Sequence, residues 1–190
     1  MIKKILICFA AITTIFASAA NYTLAREIVE MPHWEKAVIN IYIPEKSDKK
    51  TVSILKRAFS QWQIASGGRI NFEYVDKGPA DIDVIFSESA SGYASPISRT
   101  SITVSDHVIS KAEISIASES KQYKNYNDKY LTNVFLHETG NALGVPDNTT
   151  KKSSIMYTPV TEEQHFMKKD ALKLFSVSGW SYSKRKINNK

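Results

Sequence analysis

Hydrophobic residues occupy every second position in several short stretches of the chain, with polar residues between them. The first stretch has Ile39, Ile41 and Ile43 on one side before Pro44 ends it. Because successive side chains of a strand point to opposite faces, this alternation predicts β-strands. The same pattern predicts strands over residues 37–43, 69–74, 81–86, 102–104 and 112–117. The stretch 87–100, rich in Ser, Gly and Pro, is predicted to be loop, and one of the last two strands is predicted to form an exposed edge.

Hydrophobic residues recur at helical spacing in three other stretches. In the first of them, Leu55, Phe59 and Trp62 lie on one face, which is typical of a helix that buries one side. In the last, Thr161 and Gln164 have the spacing of a capping box. Helices are predicted over residues 51–65, 130–143 and 161–178. Because a long helix separates the first two strands, we expect a crossover connection and parallel pairing between them.

The two ends of the chain differ in composition from its middle. Lys3 and Lys4 precede an apolar run and then small residues, which is typical of a secretory signal peptide. The sequence therefore predicts an exported protein, secreted or periplasmic, with no stable membrane span after cleavage. Cys8, the only cysteine, lies within this segment, so the mature chain has no disulfide and no thiolate ligand. The predicted division is a signal peptide at 1–20, a short N-terminal segment at 21–36, one catalytic domain at 37–180 and a basic tail at 181–190.

The positive charge of the chain lies mainly at its ends. The formal net charge is +6, and the signal segment and the tail contain most of the excess lysine and arginine. A nucleic-acid-binding domain needs a basic face with interleaved aromatic residues, and a charged tail does not provide one. We therefore expect no nucleic-acid partner, and we expect a monomer.

Residues 137–147 contain the most informative pattern of polar residues, with the sequence HETGNALGVPD. A zinc-peptidase helix needs a histidine ligand, a glutamate beside it and a second ligand four residues on, on the same face. His137 and Glu138 meet the first two needs, and Asn141 occupies the position of the second ligand. Gly144 allows the backbone to turn after the helix, and Asp147 follows where a third ligand can reach the same metal.

Together with Met156 in the sequence SIMY, these residues resemble the catalytic domain of matrixin-type proteases of the metzincin clan. The resemblance covers most of the predicted mature chain. It implies an α+β, zincin-like fold with a twisted mixed sheet of about five strands. A backing helix, an active-site helix, a Met-turn and a C-terminal helix are expected around that sheet.

The resemblance also implies the roles of individual residues. His137 and Asp147 are expected to bind one catalytic Zn²⁺, and Glu138 is expected to be the general base. Gly144 and Met156 are expected to support the site as its turn and as the methionine of the Met-turn. Tyr157 and Pro159, which follow it, are expected to shape the substrate pocket.

Asn141 leaves three outcomes open, because an amide oxygen is a weaker zinc ligand than an imidazole. Asn141 or a water molecule completes a weak zinc site, or another histidine substitutes, or the protein binds peptides without cutting them. The candidate substitutes are His33, His107 and His165. The sequence predicts a zinc-dependent metalloendopeptidase that acts on peptides or proteins and is impaired by Asn141. An inactive peptide-binding module is the alternative, and further structural zinc or calcium sites remain open.

Overall fold

The computed structural model describes residues 31–45, 47–168 and 171, and these residues form one sheet and two long helices. The strands are β1 (Val38–Tyr42), β2 (Asn71–Val75), β3 (Ile82–Phe86), β4 (Ser98–Ser105) and β5 (Val108–Ile116). The helices are α1 (Lys49–Ala65), between β1 and β2, and α2 (Asp128–Ala142), after β5. A short 3₁₀ helix, Tyr123–Asn125, precedes α2. The predicted signal peptide and basic tail lie outside the described residues.

The sheet has the strand order β2-β1-β3-β5-β4. The first four strands in this order pair in parallel, and β4 pairs antiparallel with β5. This confirms the parallel pairing of the first two strands and makes the sheet mixed. It also confirms the exposed edge, because β4 is the outermost strand and most of its residues beyond Ser101 are exposed.

The start of β4 differs from the sequence-based prediction, which assigned residues 87–100 to a loop. The strand begins at Ser98, which pairs with Ile116 of β5. A two-residue turn joins the two strands, and in it Asp106 and His107 have φ angles of 50° and 65°. Both angles suit the hairpin turn whose twist matches the strands. The pattern was missed because the inward-facing positions Ser98 and Thr100 are polar and contact α2 rather than apolar core.

Helix α1 begins at a side-chain cap and buries the aromatic stripe expected from its sequence. The Asp48 carboxylate accepts hydrogen bonds from the backbone N–H and hydroxyl of Thr51, both at 2.7 Å, and these bonds lower the pKa of Asp48. Phe59 and Trp62 are buried, and the Trp62 indole N–H donates to the carbonyl oxygen of Leu136 at 2.8 Å. This bond joins α1 to the middle of α2, next to the residues of the candidate site.

The segment 31–34, called here the N-terminal strap, holds the end of α2 against the β4–β5 hairpin. The buried Trp34 donates from its indole N–H to the Ala142 carbonyl oxygen at 2.9 Å. His33 donates its backbone N–H to His107 at 2.9 Å and accepts from Ile109 at 2.7 Å. The strap therefore satisfies a carbonyl group at the end of α2 and fixes the base of the hairpin.

The predicted C-terminal helix is wrong at its start, because residues 161–167 are not helical. Thr161 N–H does donate to the Gln164 side-chain oxygen at 3.2 Å, as in a capping box. The Gln164 amide group, however, donates to the carbonyl oxygens of Tyr157 and Pro159, and the His165 N–H donates to Ser153. These bonds tie the segment to the preceding loop. Helix is described at residues 168 and 171, and the rest of the prediction lies outside the described residues.

No helix of the described residues is both long enough and apolar enough to cross a bilayer.

Gly144→Ala is expected to destabilise the fold strongly, and Gly68→Ala provides a matched control. Both glycines have positive φ angles, +87° and +83°, so alanine costs about 1 kcal/mol at either position. At Gly144 the added Cβ also collides with the Pro32 carbonyl oxygen of the strap, whereas at Gly68 it meets no atom. We expect losses of about 2–5 kcal/mol and about 1 kcal/mol respectively in urea unfolding. Equal losses would show that the strap does not press on Gly144.

Candidate active site

His137 lies in the last two turns of α2 with none of its surface exposed, and both of its ring nitrogens have partners. Nδ1 lies 3.0 Å from the Ile155 carbonyl oxygen, and Nε2 lies 3.0 Å from Oδ1 of Asp147. Because a carbonyl oxygen only accepts hydrogen bonds, Nδ1 must be the protonated nitrogen. Nε2 then faces a carboxylate oxygen, which is favourable when a proton or a metal ion lies between the two atoms.

Asp147 reaches His137 because the chain reverses direction at Gly144. Hydrogen bonding and the nearby charge of His137 hold the pKa of Asp147 below its usual value, against the raising effect of burial. The Asn141 side chain lies within reach of the same carboxyl group and lowers its pKa further. His137 and Asp147 are therefore in contact, and Asn141 lines the same pocket as Asp147.

The loop that contains Asp147 is fixed by backbone pairing with the segment around Met156. Asn148 donates its N–H to the Met156 carbonyl oxygen at 2.6 Å and accepts from the Thr158 N–H at 3.2 Å. The Asn148 side-chain oxygen also accepts from the backbone N–H groups of Thr150 and Lys151, at 2.8 and 2.9 Å. This pairing sets the position of Asp147, and the sequence analysis did not identify Asn148.

Glu138, beside His137, points to the edge strand and has 1% of its surface exposed. The Ser98 hydroxyl donates to Oε1 at 2.7 Å, and the Thr100 hydroxyl donates to Oε2 at 2.6 Å. Burial raises the pKa of Glu138, while the two hydroxyl groups and the charge of His137 oppose that rise. Both carboxylate oxygens thus have donors from β4, which the loop prediction for residues 87–100 could not reveal.

Met156 lies beneath α2 in close contact with Gly140. A Cβ at Gly140 would lie 2.5 Å from the Met156 sulfur and 2.8 Å from the Trp62 ring. Only glycine therefore fits between His137 and Asn141 on this side of the helix without a shift of these side chains. The sequence had given Met156 a supporting role, but nothing in its pattern marked Gly140 as part of the same contact.

A pocket of about 300 Å³ opens beside Asn141. Its lining residues are Pro32, Thr100, Ile102, Asn141, Gly144, Val145, Pro146 and Asp147. Tyr157 and Pro159 are not among them, and their carbonyl oxygens instead accept hydrogen bonds from the buried Gln164 amide, both at 3.0 Å. The expected role of these two residues in the substrate pocket therefore stays a prediction.

The donor groups around His137 and Asp147 decide whether the site fits a zinc ion. Among the described residues, no group of three or more His, Cys, Asp or Glu side chains can hold a metal. His33, His107 and His165 lie in the strap, in the hairpin turn and beside Ser154, and within the described part of the chain none of them forms a group of three with His137 and Asp147. The available donors are one imidazole, one carboxylate and the Asn141 amide oxygen.

This donor set fits zinc, with one weak ligand in place of a strong one. Two ligands of a tetrahedral zinc ion lie about 3.4 Å apart when each is about 2.1 Å from the metal. The observed distance of 3.0 Å between His137 Nε2 and Asp147 Oδ1 is close to this value. The hydrogen bond from Nδ1 to the Ile155 carbonyl is also the outer contact that typically orients a zinc-binding histidine.

Comparison with known proteins agrees with this geometry. The matrixin family model matches residues 33–174, which include all five strands, both helices and the whole candidate site. No curated protein sequence matches the chain. Matrixins are metalloproteases that normally bind zinc, and the mixed five-stranded sheet with its two helices is consistent with their fold. The chain therefore belongs to the matrixin family.

Proposed function

We propose that the protein is an exported zinc-dependent metalloendopeptidase whose metal site is weakened by Asn141. The observation that supports this most strongly is the convergence of His137 and Asp147, 3.0 Å apart, with Nδ1 of His137 fixed by a carbonyl group. His137, Asp147 and the Asn141 amide oxygen would hold the ion. A zinc ion there supplies Lewis-acid activation of water and of a peptide carbonyl group.

Glu138 is the proposed general base, which takes a proton from the attacking water and passes it to the leaving amine. A carboxylate has about four acceptor positions, and the hydroxyl groups of Ser98 and Thr100 use two of them. The carboxylate can therefore stay anchored to β4 and still accept a proton. Thr100, which donates to the Glu138 carboxylate, also lines the pocket beside Asn141, and this supports a substrate position next to Glu138.

The proposed substrate is a peptide or protein segment in extended conformation. In the part of the chain that the structure describes, β4 is the outermost strand on this side of the sheet, and its outer edge could pair with such a segment beside the pocket that Thr100 and Ile102 line. Residues 1–20 are proposed to direct export, so that the substrate lies outside the cytoplasm. The catalytic domain is proposed to act as a monomer.

Zinc content distinguishes a weak site from an absent one. In protein from residue 21 onward, dialysed against zinc buffers of graded free concentration, we expect the Asn141→His variant to bind zinc at least about 10-fold more tightly than the native chain. A gain is expected because imidazole replaces a neutral amide oxygen. Asp147→Asn in the same background is the matched control and should reverse the gain. If Asn141→His binds no more zinc than the native chain, the proposed ligand set is wrong.

Glu138→Gln should abolish peptide hydrolysis without removing zinc. Glutamine preserves the size of the side chain and accepts at one oxygen, but it cannot take up the proton. With fluorescein-labelled denatured casein, we expect at least about 100-fold slower release of fluorescent peptides in the Asn141→His background. Zinc content, measured on the same samples, should stay within the error of the parent protein. Undiminished cleavage by Glu138→Gln would exclude Glu138 as the base.

A second function, peptide binding without cleavage, is favoured by one specific observation. His137 and Glu138 have hydrogen-bond partners on all four of their polar side-chain atoms within the protein. With a proton between Nε2 of His137 and Asp147, the site is thus satisfied without a metal, as in a binding module that keeps the cleft and the edge strand.

The binding module predicts peptide affinity that does not depend on zinc. Anisotropy of labelled casein peptides should then give the same dissociation constant, within about twofold, before and after treatment with a chelator. No cleavage should appear in the native chain at saturating zinc. Affinity that is lost on chelation, together with cleavage in its presence, would favour the peptidase instead.

A further inference from the structure

The inner face of the edge strand is polar at two positions where a strand over a core is usually apolar. Ser98 and Thr100 are two residues apart, so their side chains point to the same face of β4, towards α2. Ser98 has none of its surface exposed, and Ile102, the next residue on this face, packs against the core. Burial of two hydroxyl groups is favourable only where they find acceptors.

Both hydroxyl groups find their acceptors on a single side chain. Ser98 donates to Oε1 of Glu138 at 2.7 Å, and Thr100 donates to Oε2 at 2.6 Å. The Thr100 oxygen also lies 3.1 Å from the Glu138 carbonyl oxygen. A hydroxyl group has one proton, and the shorter distance assigns it to the carboxylate. Two donors on one strand therefore fix the carboxylate at both oxygens, which restricts its rotation.

We propose that Ser98 and Thr100 are positioning residues, through which the edge strand holds Glu138 at the angle needed for proton transfer. This rests on the proposed function of the site. Among the described residues, the hydroxyl groups of Ser98 and Thr100 bond to Glu138 and to neither of the proposed metal ligands His137 and Asp147. They act through Glu138 alone.

The consequence is a separation between turnover and substrate affinity. A peptide would pair with backbone groups of β4, whereas the hydroxyl groups of Ser98 and Thr100 are bound to Glu138. Thr100 also lines the pocket, but valine keeps its shape there. Removal of a hydroxyl group should leave peptide pairing intact and loosen the carboxylate, so the maximal rate falls while the Michaelis constant stays nearly constant. Zinc content should not change, because no metal ligand is altered.

The test uses isosteric and conservative variants with controls on the same strand. Thr100→Val and Ser98→Ala remove one donor each, and Thr100→Ser keeps the hydroxyl group. Thr103→Val and Ser101→Ala are the matched controls. Both residues lie on β4 with exposed side chains that make no hydrogen bond within the described residues. All variants are made in the full mature chain, in the native and Asn141→His backgrounds.

Initial rates of cleavage of labelled denatured casein, with zinc content, provide the first readout. We expect Thr100→Val and Ser98→Ala to lower kcat about 10- to 100-fold, with KM and zinc content within about twofold of the parent. Thr100→Ser should recover most of the rate, and the two controls should match the parent. If either donor can be removed with kcat unchanged, the proposal is overturned for that residue.

Melting temperatures provide a second readout that needs no activity. Thr100→Val should lower the melting temperature of the parent protein more than it lowers that of a Glu138→Ala protein. In the Glu138→Ala protein the Thr100 hydroxyl group has already lost the carboxylate to which it donates. Equal decreases in the two backgrounds overturn the inference even if the enzyme is active. Zinc-loaded Asn141→His protein that never cleaves instead overturns the proposed function, and with it the catalytic role of these residues.

Discussion

Two adjacent polar side chains of α2, His137 and Glu138, are buried almost completely, and their partners must come from other elements. A buried polar group without partners costs about 1–3 kcal/mol, and a buried charge costs more. Adjacent positions on a helix point about 100° apart, so the two side chains need partners on different sides. The loop after the helix supplies them for His137, and the edge strand supplies them for Glu138. The relative placement of α2, β4 and the Met156 segment follows from this need.

The same contacts hold the side chains of the candidate site in place through protein groups. The ring of His137 is held by the Ile155 carbonyl group and by Asp147, while Asn148 fixes the loop from the other side through Met156. These hydrogen bonds exist between protein groups alone. The ordered geometry of the site is therefore not in itself a measure of its affinity for a metal ion. The proposed peptidase and the proposed binding module share this architecture and differ in how tightly they would bind zinc.

The parts of the fold that the sequence predicted share one property, which is that their inward-facing residues are apolar. Helix α1 and strands β1 and β3 follow from this regular spacing, and the site residues at 137–147 follow from a motif with fixed positions. The start of β4 could not be predicted, because Ser98 and Thr100 face a carboxylate that is 38 or more residues away in sequence. The start of the C-terminal helix was wrong because Gln164 uses its amide group for carbonyl oxygens of the preceding loop, as well as for Thr161. In each case polar side-chain contacts with another segment decided the local structure, and the spacing of apolar residues does not report such contacts.

The affinity of the proposed site for zinc would depend on two free-energy terms. The first is the strength of the metal–ligand bond, where an amide oxygen of Asn141 would replace an imidazole nitrogen. The second is the stability of the metal-free arrangement, in which Nε2 of His137 contacts Asp147. Zinc would have to replace this contact before binding both residues, so the apparent affinity would be reduced by the fraction of protein in the open arrangement. A histidine at position 141 would strengthen the first term and leave the second unchanged. In the proposed site, the single residue that departs from the motif therefore acts on the metal-bound state, whereas the contact of His137 with Asp147 acts on the metal-free state.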